Sequence, residues 1–272
     1  MNQLQNAPLE HPFADYGQSE RRSYLIGELL KENRRFQKMQ IPASSSEQKQ
    51  LLRSLMNVRY AAPITEEFAQ VQDEYLAEAN AEKGFVTLSD MEELQPDLFL
   101  WQGDFTRIKC GAIVNAANSG MTGCYQPCHN CIDNCIHTYA GIQLRNYCAY
   151  LMEKQGHEEP TGQAKITPGF NLPCDHVIHT VGPIVDGRLT SYHEELLRSC
   201  YESCLKLADE NQVESIAFCC ISTGVFMFPN QRAAQIAVET VKNYKQKTGS
   251  RIKVIFNVFK DLDLKIYREL LG

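Results

Sequence analysis

The chain of 272 residues has a net charge of −6, with 43% hydrophobic and 22% charged residues. This composition is typical of globular proteins and excludes disordered and fibrous classes, while the length allows one large domain or two smaller units, of which we expect two. The negative charge offers no basic surface of the kind that neutralises phosphate backbones, so we expect no nucleic-acid partner.

The N-terminal segment has no apolar stretch behind a positive start, so it does not resemble a secretory signal. No run approaches the roughly 18 apolar residues of a membrane-spanning helix. We therefore expect a cytoplasmic protein without a membrane partner, in which clustered cysteines indicate metal binding or reactivity. The cysteine count of eleven is odd, and a complete disulfide framework cannot use an odd number.

Residues 1–92 are predicted to form a helical N-terminal extension. Apolar residues recur there at helical spacing, in segments separated by Pro-containing or Ser-rich breaks. The three predicted helices cover residues 20–36, 44–55 and 66–84.

Residues 93–272 are predicted to form an α/β domain. From about residue 97, short apolar runs alternate with amphipathic segments, which is typical of a largely parallel sheet covered by helices. The predicted strands are 98–101, 112–114, 176–181, 215–221 and 252–259. The predicted helices are 131–153, 191–210, 230–246 and 261–271.

Three loops of this predicted domain are suited to a ligand, because open α/β sheets bind ligands beyond the carboxyl ends of their strands. They are residues 102–107, 115–134 and 222–229. The third resembles an anion-binding turn, in which Gly224 lets backbone N–H groups approach a phosphate, although any strand-to-helix loop favours Ser, Thr and Gly. Asn115 and Asn118 directly follow a predicted strand and can bond sugar hydroxyls or only form a turn. Asp104 can accept from an exocyclic amine or cap a turn.

The segment 123–141 holds four of the eleven cysteines and two of the seven histidines. Zinc prefers thiolate and imidazole ligands in tetrahedral geometry, and catalytic zinc sites keep three protein ligands with one open position. Cys124, His129 and Cys131 supply two thiolates and one imidazole from irregular backbone that can wrap an ion. We therefore predict one Zn²⁺ per chain on these three residues.

The other sulfur and imidazole groups of this segment receive different predictions. Cys135 and His137 lie on a predicted helix, where a lone cysteine is usually a small core residue and a histidine a hydrogen-bonded structural one. One alternative is a closed structural zinc with Cys128 as the fourth ligand. Another is an iron–sulfur cluster through Cys128, Cys131 and Cys135, whose spacing matches none of the common cluster patterns.

Four segments, taken in order, resemble the macrodomain family: Gly-Asp-Phe-Thr at 103–106, Ala-Ile-Val-Asn-Ala-Ala-Asn at 112–118, Val-Ile-His-Thr-Val-Gly-Pro at 177–183 and Ser-Thr-Gly-Val-Phe at 222–226. The resemblance covers about residues 95–272 and implies a three-layer αβα domain, with a mixed and largely parallel sheet, that binds ADP-ribose. Hydrolytic macrodomains usually carry a glycine run before Gly-x-Asp-x-x-Ile-His, and residues 124–130 replace that run here.

This replacement resembles the zinc-dependent macrodomains of microbes, a protein-ADP-ribose hydrolase type. Those proteins also carry a helical N-terminal extension and are often encoded beside a sirtuin-type ADP-ribosyltransferase and lipoyl-carrier proteins. Their zinc ligands match Cys124, His129 and Cys131. The resemblance implies a glycosidase- or esterase-type hydrolase that removes mono-ADP-ribose from protein side chains, O-linked through acidic residues, with a lipoyl-carrier protein among its candidate substrates. The alternatives are a reader module that binds ADP-ribose without cleaving it and a phosphatase acting on ADP-ribose 1″-phosphate.

The resemblance also implies roles for individual residues. Asp133 and Asn118 would be catalytic, and Asn115 and Asn118 would contact the distal ribose. Asp104 would meet the adenine, Phe105 would be a further ligand-binding residue, and Phe259 would stack on adenine unless it belongs to the core. The residues that would wrap the diphosphate are Ser222, Thr223, Gly224, Val225 and Phe226, the last also beside the distal ribose. Met227 stands where many macrodomains have Gly.

Overall fold

The computed structural model describes residues 15–272 of the chain, so residues 1–14 of the predicted N-terminal extension lie outside the described residues. The described helices are α1 (Gln18–Glu32), α2 (Ser45–Val58), α3 (Glu66–Glu82), α4 (Ile132–Ala140), α5 (Ile142–Gln155), α6 (Ser191–Glu210), α7 (Asn230–Thr248) and α8 (Asp261–Leu271). The strands are β1 (Glu92–Gln95), β2 (Leu98–Gln102), β3 (Ala112–Ala117), β4 (Ala164–Pro168), β5 (His176–Val181), β6 (Ser215–Phe218) and β7 (Lys253–Val258).

The seven strands form one sheet in the order β1-β2-β7-β6-β3-β5-β4. The five central strands are parallel, and β1 and β4 add antiparallel edges. Parallel strands buried on both faces consist of nearly continuous apolar runs, and β7 is buried from Val254 to Val258. The predicted fold class, an α/β domain with a mixed and largely parallel sheet behind a helical N-terminal region, is confirmed.

Helices α1, α2 and α3 bury a small core of their own, which Ile142 at the start of α5 joins. Leu25, Leu55 and Val71 represent the three helices in this core, and each is almost completely buried. The group is tied to the α/β domain by Asn57 of α2, whose amide donates to the Thr138 hydroxyl of α4 at 3.0 Å. The N-terminal helices therefore lie against the part of the domain that follows the cysteine-rich loop.

Several predicted boundaries were wrong, for identifiable reasons. The predicted helix over 131–153 is two helices, because Gly141 has a φ of 98° that no helix accommodates. The strands β1 and β4 were missed because edge strands are short and only half-buried. The first helix ends at Glu32 rather than at residue 36. Strand β3 continues to Ala117, which places Asn115 inside the strand rather than after it.

The predicted strand over 215–221 ends at Phe218, which leaves a longer loop before α7. Val86 pairs with Ile108 in an isolated parallel bridge, so the chain contacts the α/β domain before β1 begins. Among the described residues, no helix combines the length and apolar character needed to cross a membrane.

Candidate functional site

A buried carboxylate marks the carboxyl end of β3. Asp133 lies in the first turn of α4, and its side chain accepts hydrogen bonds from the amide nitrogens of Asn115 at 2.8 Å and Asn118 at 3.3 Å. Asp133 is only 5% exposed. Burial raises the pKa of this carboxyl to about 6, because loss of hydration outweighs the stabilisation that the two amides and the Arg145 guanidinium provide.

Asn115 connects this carboxylate to the neighbouring strand. Its amide nitrogen also lies 3.1 Å from Nδ1 of His179, the residue directly opposite it on β5. Both amide hydrogens are thus used, and within the described part of the chain the Asn115 Oδ1 atom has no hydrogen-bond partner although it is buried. A buried carbonyl oxygen without a partner is costly, and this one remains able to accept from a ligand.

His179 is neutral and has a defined tautomer. Burial lowers its pKa to about 3. Because Nδ1 accepts from Asn115, the proton is on Nε2, which lies 3.0 Å from the Thr167 hydroxyl of β4. Nothing in the sequence singled out His179, since its role depends on the pairing of β5 with β3 and β4.

His137 lies one turn after Asp133 on α4, with its Nε2 atom 3.6 Å from the carboxylate. Burial lowers its pKa well below the usual range, and His179 and Arg145 lower it further. Neither ring nitrogen has a hydrogen-bond partner among residues 15–272. The prediction that His137 is a hydrogen-bonded structural histidine was therefore wrong. A second group that sequence reasoning missed consists of His137, Cys148 and His179, which approach one another in the interior.

The three predicted metal ligands come together on the loop before α4. The ligand atoms of Cys124, His129 and Cys131 all lie within 4.8 Å of one another, and Cys124 Sγ is 3.6 Å from Nδ1 of His129. Burial raises the pKa of the Cys131 thiol to about 12, and a bound dication would reverse that preference by holding the thiolate. Two thiolates and one imidazole at this spacing fit a zinc ion with an open fourth position.

The two remaining cysteines of the segment 123–141 point elsewhere. Cys128 Sγ lies 3.1 Å from the Ser54 hydroxyl of α2, and Cys135 Sγ lies 3.7 Å from an Arg53 nitrogen of the same helix. Cys135 is thus half-buried at the contact with α2 rather than a core residue. Neither cysteine joins the group of three ligands, so this arrangement supports neither the four-ligand zinc nor the iron–sulfur alternative.

The loop after β6 opens beside β3 at the same edge of the sheet. Ser222 is buried with a φ of 64°, and its hydroxyl has no partner within the described residues. A side chain at Gly182 would collide with that hydroxyl, so this close approach of two loops requires glycine. The Phe226 carbonyl accepts from the Val185 amide at 2.9 Å, which braces the loop.

The outer part of this loop is open. Val225 is exposed, and space adjoins Gly224 because no heavy atom lies within 4 Å of the position that a Cβ would occupy. Met227 has a φ of 56°, so a residue with a side chain adopts here a backbone conformation that favours glycine, at a cost of about 1 to 2 kcal/mol. The Thr223 hydroxyl donates to the Cys220 carbonyl at 3.0 Å. The backbone N–H groups of Met227 and Phe228 also bond within the loop, to the Gly224 and Ser222 carbonyls.

Asp104, which follows β2, caps a turn, as one of its two predicted roles requires. Its Oδ1 atom accepts from the Thr106 amide at 3.0 Å and the Thr106 hydroxyl at 2.7 Å, while Oδ2 lies 3.5 Å from Nζ of Lys83. The Phe105 side chain is buried in the main core, so only its backbone can face a ligand. Phe259, directly after β7, is 77% exposed and is not a core residue.

The chain matches the Macro domain family over residues 114–237. It is also 57% identical over 259 residues to a Treponema medium protein named protein-ADP-ribose hydrolase, an alignment that covers 94% of this chain and 99% of that protein. The chain belongs to the macrodomain family. A Staphylococcus aureus protein of the same name is 47% identical to this macrodomain over 254 residues. That alignment covers 92% of this chain and 94% of the Staphylococcus aureus protein.

Solved structures agree with this assignment. The Oceanobacillus iheyensis macrodomain with ADP superposes with a TM-score of 0.59 at 36% identity, covering 66% of this macrodomain and 93% of that chain. The Trypanosoma brucei macrodomain in complex with ADP-ribose gives a TM-score of 0.63 at 27% identity, covering 81% and 95% of the two chains. The predicted macrodomain resemblance is therefore confirmed at the level of the family.

Proposed function

We propose that this macrodomain is a protein-ADP-ribose hydrolase that removes mono-ADP-ribose from modified protein side chains. The observation that carries the proposal is the buried Asp133 carboxylate, held by Asn115 and Asn118 at the carboxyl end of a central strand. Two relatives of nearly the full length are named protein-ADP-ribose hydrolases. A buried carboxylate of raised pKa is suited to general acid–base catalysis.

ADP-ribose would lie along the carboxyl edge of the sheet. The exposed Phe259 ring would stack on the adenine, whose amine would meet Asp104 and whose ring would face the backbone of Phe105. The open loop after β6 would wrap the diphosphate with the backbone of Ser222, Thr223, Gly224, Val225 and Phe226. Support for this path comes from the exposed outer part of that loop and from its position beside β3.

The distal ribose would reach the end of β3. The unpartnered Oδ1 atom of Asn115 would accept from a ribose hydroxyl, and Phe226 would lie beside the ring. The bond to be broken joins the anomeric carbon to a side-chain oxygen and passes through an oxocarbenium-like state. Asp133 would accept a proton from the attacking water, while Asn118 would hold the second carboxylate oxygen in place.

We further place one Zn²⁺ per chain on Cys124, His129 and Cys131, whose chemistry and mutual distances fit that ion. When bound, the ion would supply Lewis acidity or a water of lowered pKa close to the carboxylate. Cys131 also serves as the N-cap of α4, and Asp133 lies two residues later. The protein's own contribution is therefore to present the carboxylate and the loop of residues 124–131 (the ligand loop), which carries the three predicted zinc ligands, from the same helix terminus.

The finer features of the proposal depend on the resemblance of residues 124–137 to zinc-dependent microbial macrodomains. They are an O-linkage to acidic side chains, a lipoyl-carrier protein as substrate and a sirtuin-type transferase as the opposing enzyme. The supporting sequence feature is the replacement of the usual glycine run by ligand-bearing residues.

The test is the release of ADP-ribose from a mono-ADP-ribosylated protein incubated with the purified chain, with and without a metal chelator. We expect release from substrates modified on Asp or Glu, no release from one modified on Arg, and loss of release with the chelator. Binding of ADP-ribose without release would favour the reader module instead. Release of phosphate from ADP-ribose 1″-phosphate would favour the phosphatase.

A further inference from the structure

Arg53 of α2 reaches from the N-terminal helices into the ligand loop. Its Nη2 atom donates to the His129 carbonyl at 2.7 Å and to Oδ1 of Asn134 at 3.0 Å. Its Nη1 atom lies 3.5 Å from Oδ1 of Asn130. The planar guanidinium presents these donors in a fixed geometry, so the contacts define position as well as contributing energy.

Asn134, which accepts from Arg53, also contacts the other two predicted ligand residues. Its amide nitrogen donates to the Cys124 carbonyl at 3.3 Å and the Gln126 carbonyl at 2.9 Å, and its backbone N–H donates to Cys131 Sγ at 3.4 Å. Asn134 is completely buried, so its side chain has little freedom to move. Arg53 thus contacts one ligand residue directly and the other two through a single asparagine.

The same helix holds the middle of the loop. The Asn57 side-chain oxygen accepts from the Cys128 amide at 2.9 Å, and the Ser54 hydroxyl lies 3.1 Å from Cys128 Sγ. Cys128 has a φ of 51°, a left-handed conformation that is unfavourable for a residue with a side chain. One face of α2 therefore maintains a loop conformation that the loop's own sequence does not favour.

Resting on the zinc site of the proposed function, we propose that Arg53 is a positioning residue of the metal site, through which the N-terminal helices form part of the metal centre. It holds the backbone of His129 and the side chain of Asn134 so that the three ligand atoms converge before metal binds. Contacts of this kind orient ligands, and their loss typically reduces metal affinity by about 10- to 100-fold.

The experiment uses the full chain, stripped of metal and titrated with Zn²⁺ in competition with a chromophoric chelator. The variants are Arg53→Ala, Arg53→Lys and, as a matched control, Lys49→Ala. Lys49 is an exposed cation on the same helix, so its removal changes the charge of α2 without touching the loop. Thermal unfolding of each metal-free variant shows whether it is folded, and calorimetry with ADP-ribose provides a second readout.

We expect Arg53→Ala to bind Zn²⁺ about 10- to 100-fold more weakly and Arg53→Lys to recover only part of this loss, because a lysine lacks the planar fork. The Lys49→Ala variant should match the wild type, and ADP-ribose binding by the metal-free forms should be unchanged. A Zn²⁺ affinity of Arg53→Ala within about twofold of the wild type, equal weakening in Lys49→Ala, or full recovery in Arg53→Lys would overturn the inference. If Arg53→Ala does not fold, the Arg53→Lys result decides.

The proposed zinc site itself fails by a different result. A wild-type chain that binds no Zn²⁺, or a Cys131→Ala variant that binds it as well as the wild type, would remove the metal from the proposed function. If instead the wild type binds Zn²⁺ normally and Arg53→Ala binds it equally well, only the proposed role of Arg53 fails. The two failures are therefore distinguishable.

Discussion

The side-chain nitrogen of Asn115 lies 2.8 Å from Oδ1 of Asp133. Asn115 is completely buried in β3, so the hydrogen bond fixes a helix-terminal carboxylate relative to the sheet. The same nitrogen contacts His179, which prevents the amide from rotating. The site is therefore organised around one asparagine that two neighbours hold in a single orientation.

Asp133→Asn should abolish most of the hydrolysis while leaving ligand binding intact. The amide is isosteric and can still accept from Asn115, but it cannot take a proton from water. We expect the rate of ADP-ribose release to fall by about 10²- to 10⁴-fold and the calorimetric affinity for ADP-ribose to change little. Asp175→Asn, an exposed carboxyl before β5, is the control and should keep full activity. Normal turnover by Asp133→Asn would remove the carboxylate from the mechanism.

Cys131→Ser and Cys131→Ala should separate the two roles of this residue. Both variants lose the soft thiolate ligand, so both should lose bound zinc and release activity. Only the serine keeps an N-cap acceptor for the Asn134 amide, which Cys131 Sγ now contacts at 3.4 Å. We expect the metal-free alanine variant to be less stable than the serine variant by about 1 kcal/mol in urea unfolding.

His129→Ala provides the comparison for this pair, because it removes a ligand that caps no helix. It should keep the stability of the metal-free wild type while losing zinc, measured by elemental analysis. Retention of stoichiometric zinc by His129→Ala would contradict the predicted ligand set.

His179 should make the metal-free protein sensitive to acid. Its pKa in the folded state is about 3, below the ordinary histidine value of 6.5. The stability that the neutral ring contributes is therefore fully present above about pH 6.5 and is lost as the pH falls towards about 3. Acidification from about pH 7 to about pH 4.5 should therefore lower the free energy of unfolding by about 3 kcal/mol through this residue alone. His179→Gln keeps an acceptor for Asn115 and a donor for Thr167 but does not titrate.

The measurement compares urea unfolding of the wild type and His179→Gln at the two pH values. The variant should lose about 3 kcal/mol less than the wild type on acidification. Equal losses in both proteins would mean that His179 is not held neutral in the folded state.

Phe259→Ala should weaken ligand binding without affecting stability. The ring is 77% exposed, so its removal creates no cavity, whereas stacking of a base on an aromatic ring contributes about 1 to 3 kcal/mol. We expect the affinity for ADP-ribose to fall accordingly and the urea midpoint to stay constant. Phe259→Tyr keeps a stacking surface and should bind as the wild type does. Unchanged binding by the alanine variant would place the adenine elsewhere.

The fold was largely predictable because the central strands are buried on both faces and therefore consist of continuous apolar runs. The edges were not, since β1 and β4 are short and half-buried, and such strands carry no strong pattern. The break at Gly141 was missed for a related reason. Helical periodicity continues on both sides of the glycine, and only its positive φ shows that the axis changes.

The convergence of the three predicted metal ligands could be predicted from the sequence. They lie within a span of eight residues on one loop, where spacing alone limits which ligand atoms can meet. Their support could not be found in this way. Arg53 lies 76 residues from His129, and His179 lies 64 residues from Asn115. Hydrogen bonds over such separations depend on how elements pack, which local pattern does not encode.

By itself, the sequence determined the alternation of strands and helices, the order of the candidate ligand-binding loops and the grouping of two cysteines and one histidine at the predicted metal site. Only the tertiary structure decided that α2 supports the ligand loop, that Asn115 faces Asp133 and His179 at once, and that Phe259 is exposed. The physical reason is that burial and long-range hydrogen bonding are properties of packed surfaces. They set the orientation of an amide or the pKa of a carboxyl only after the sheet and its helices have assembled.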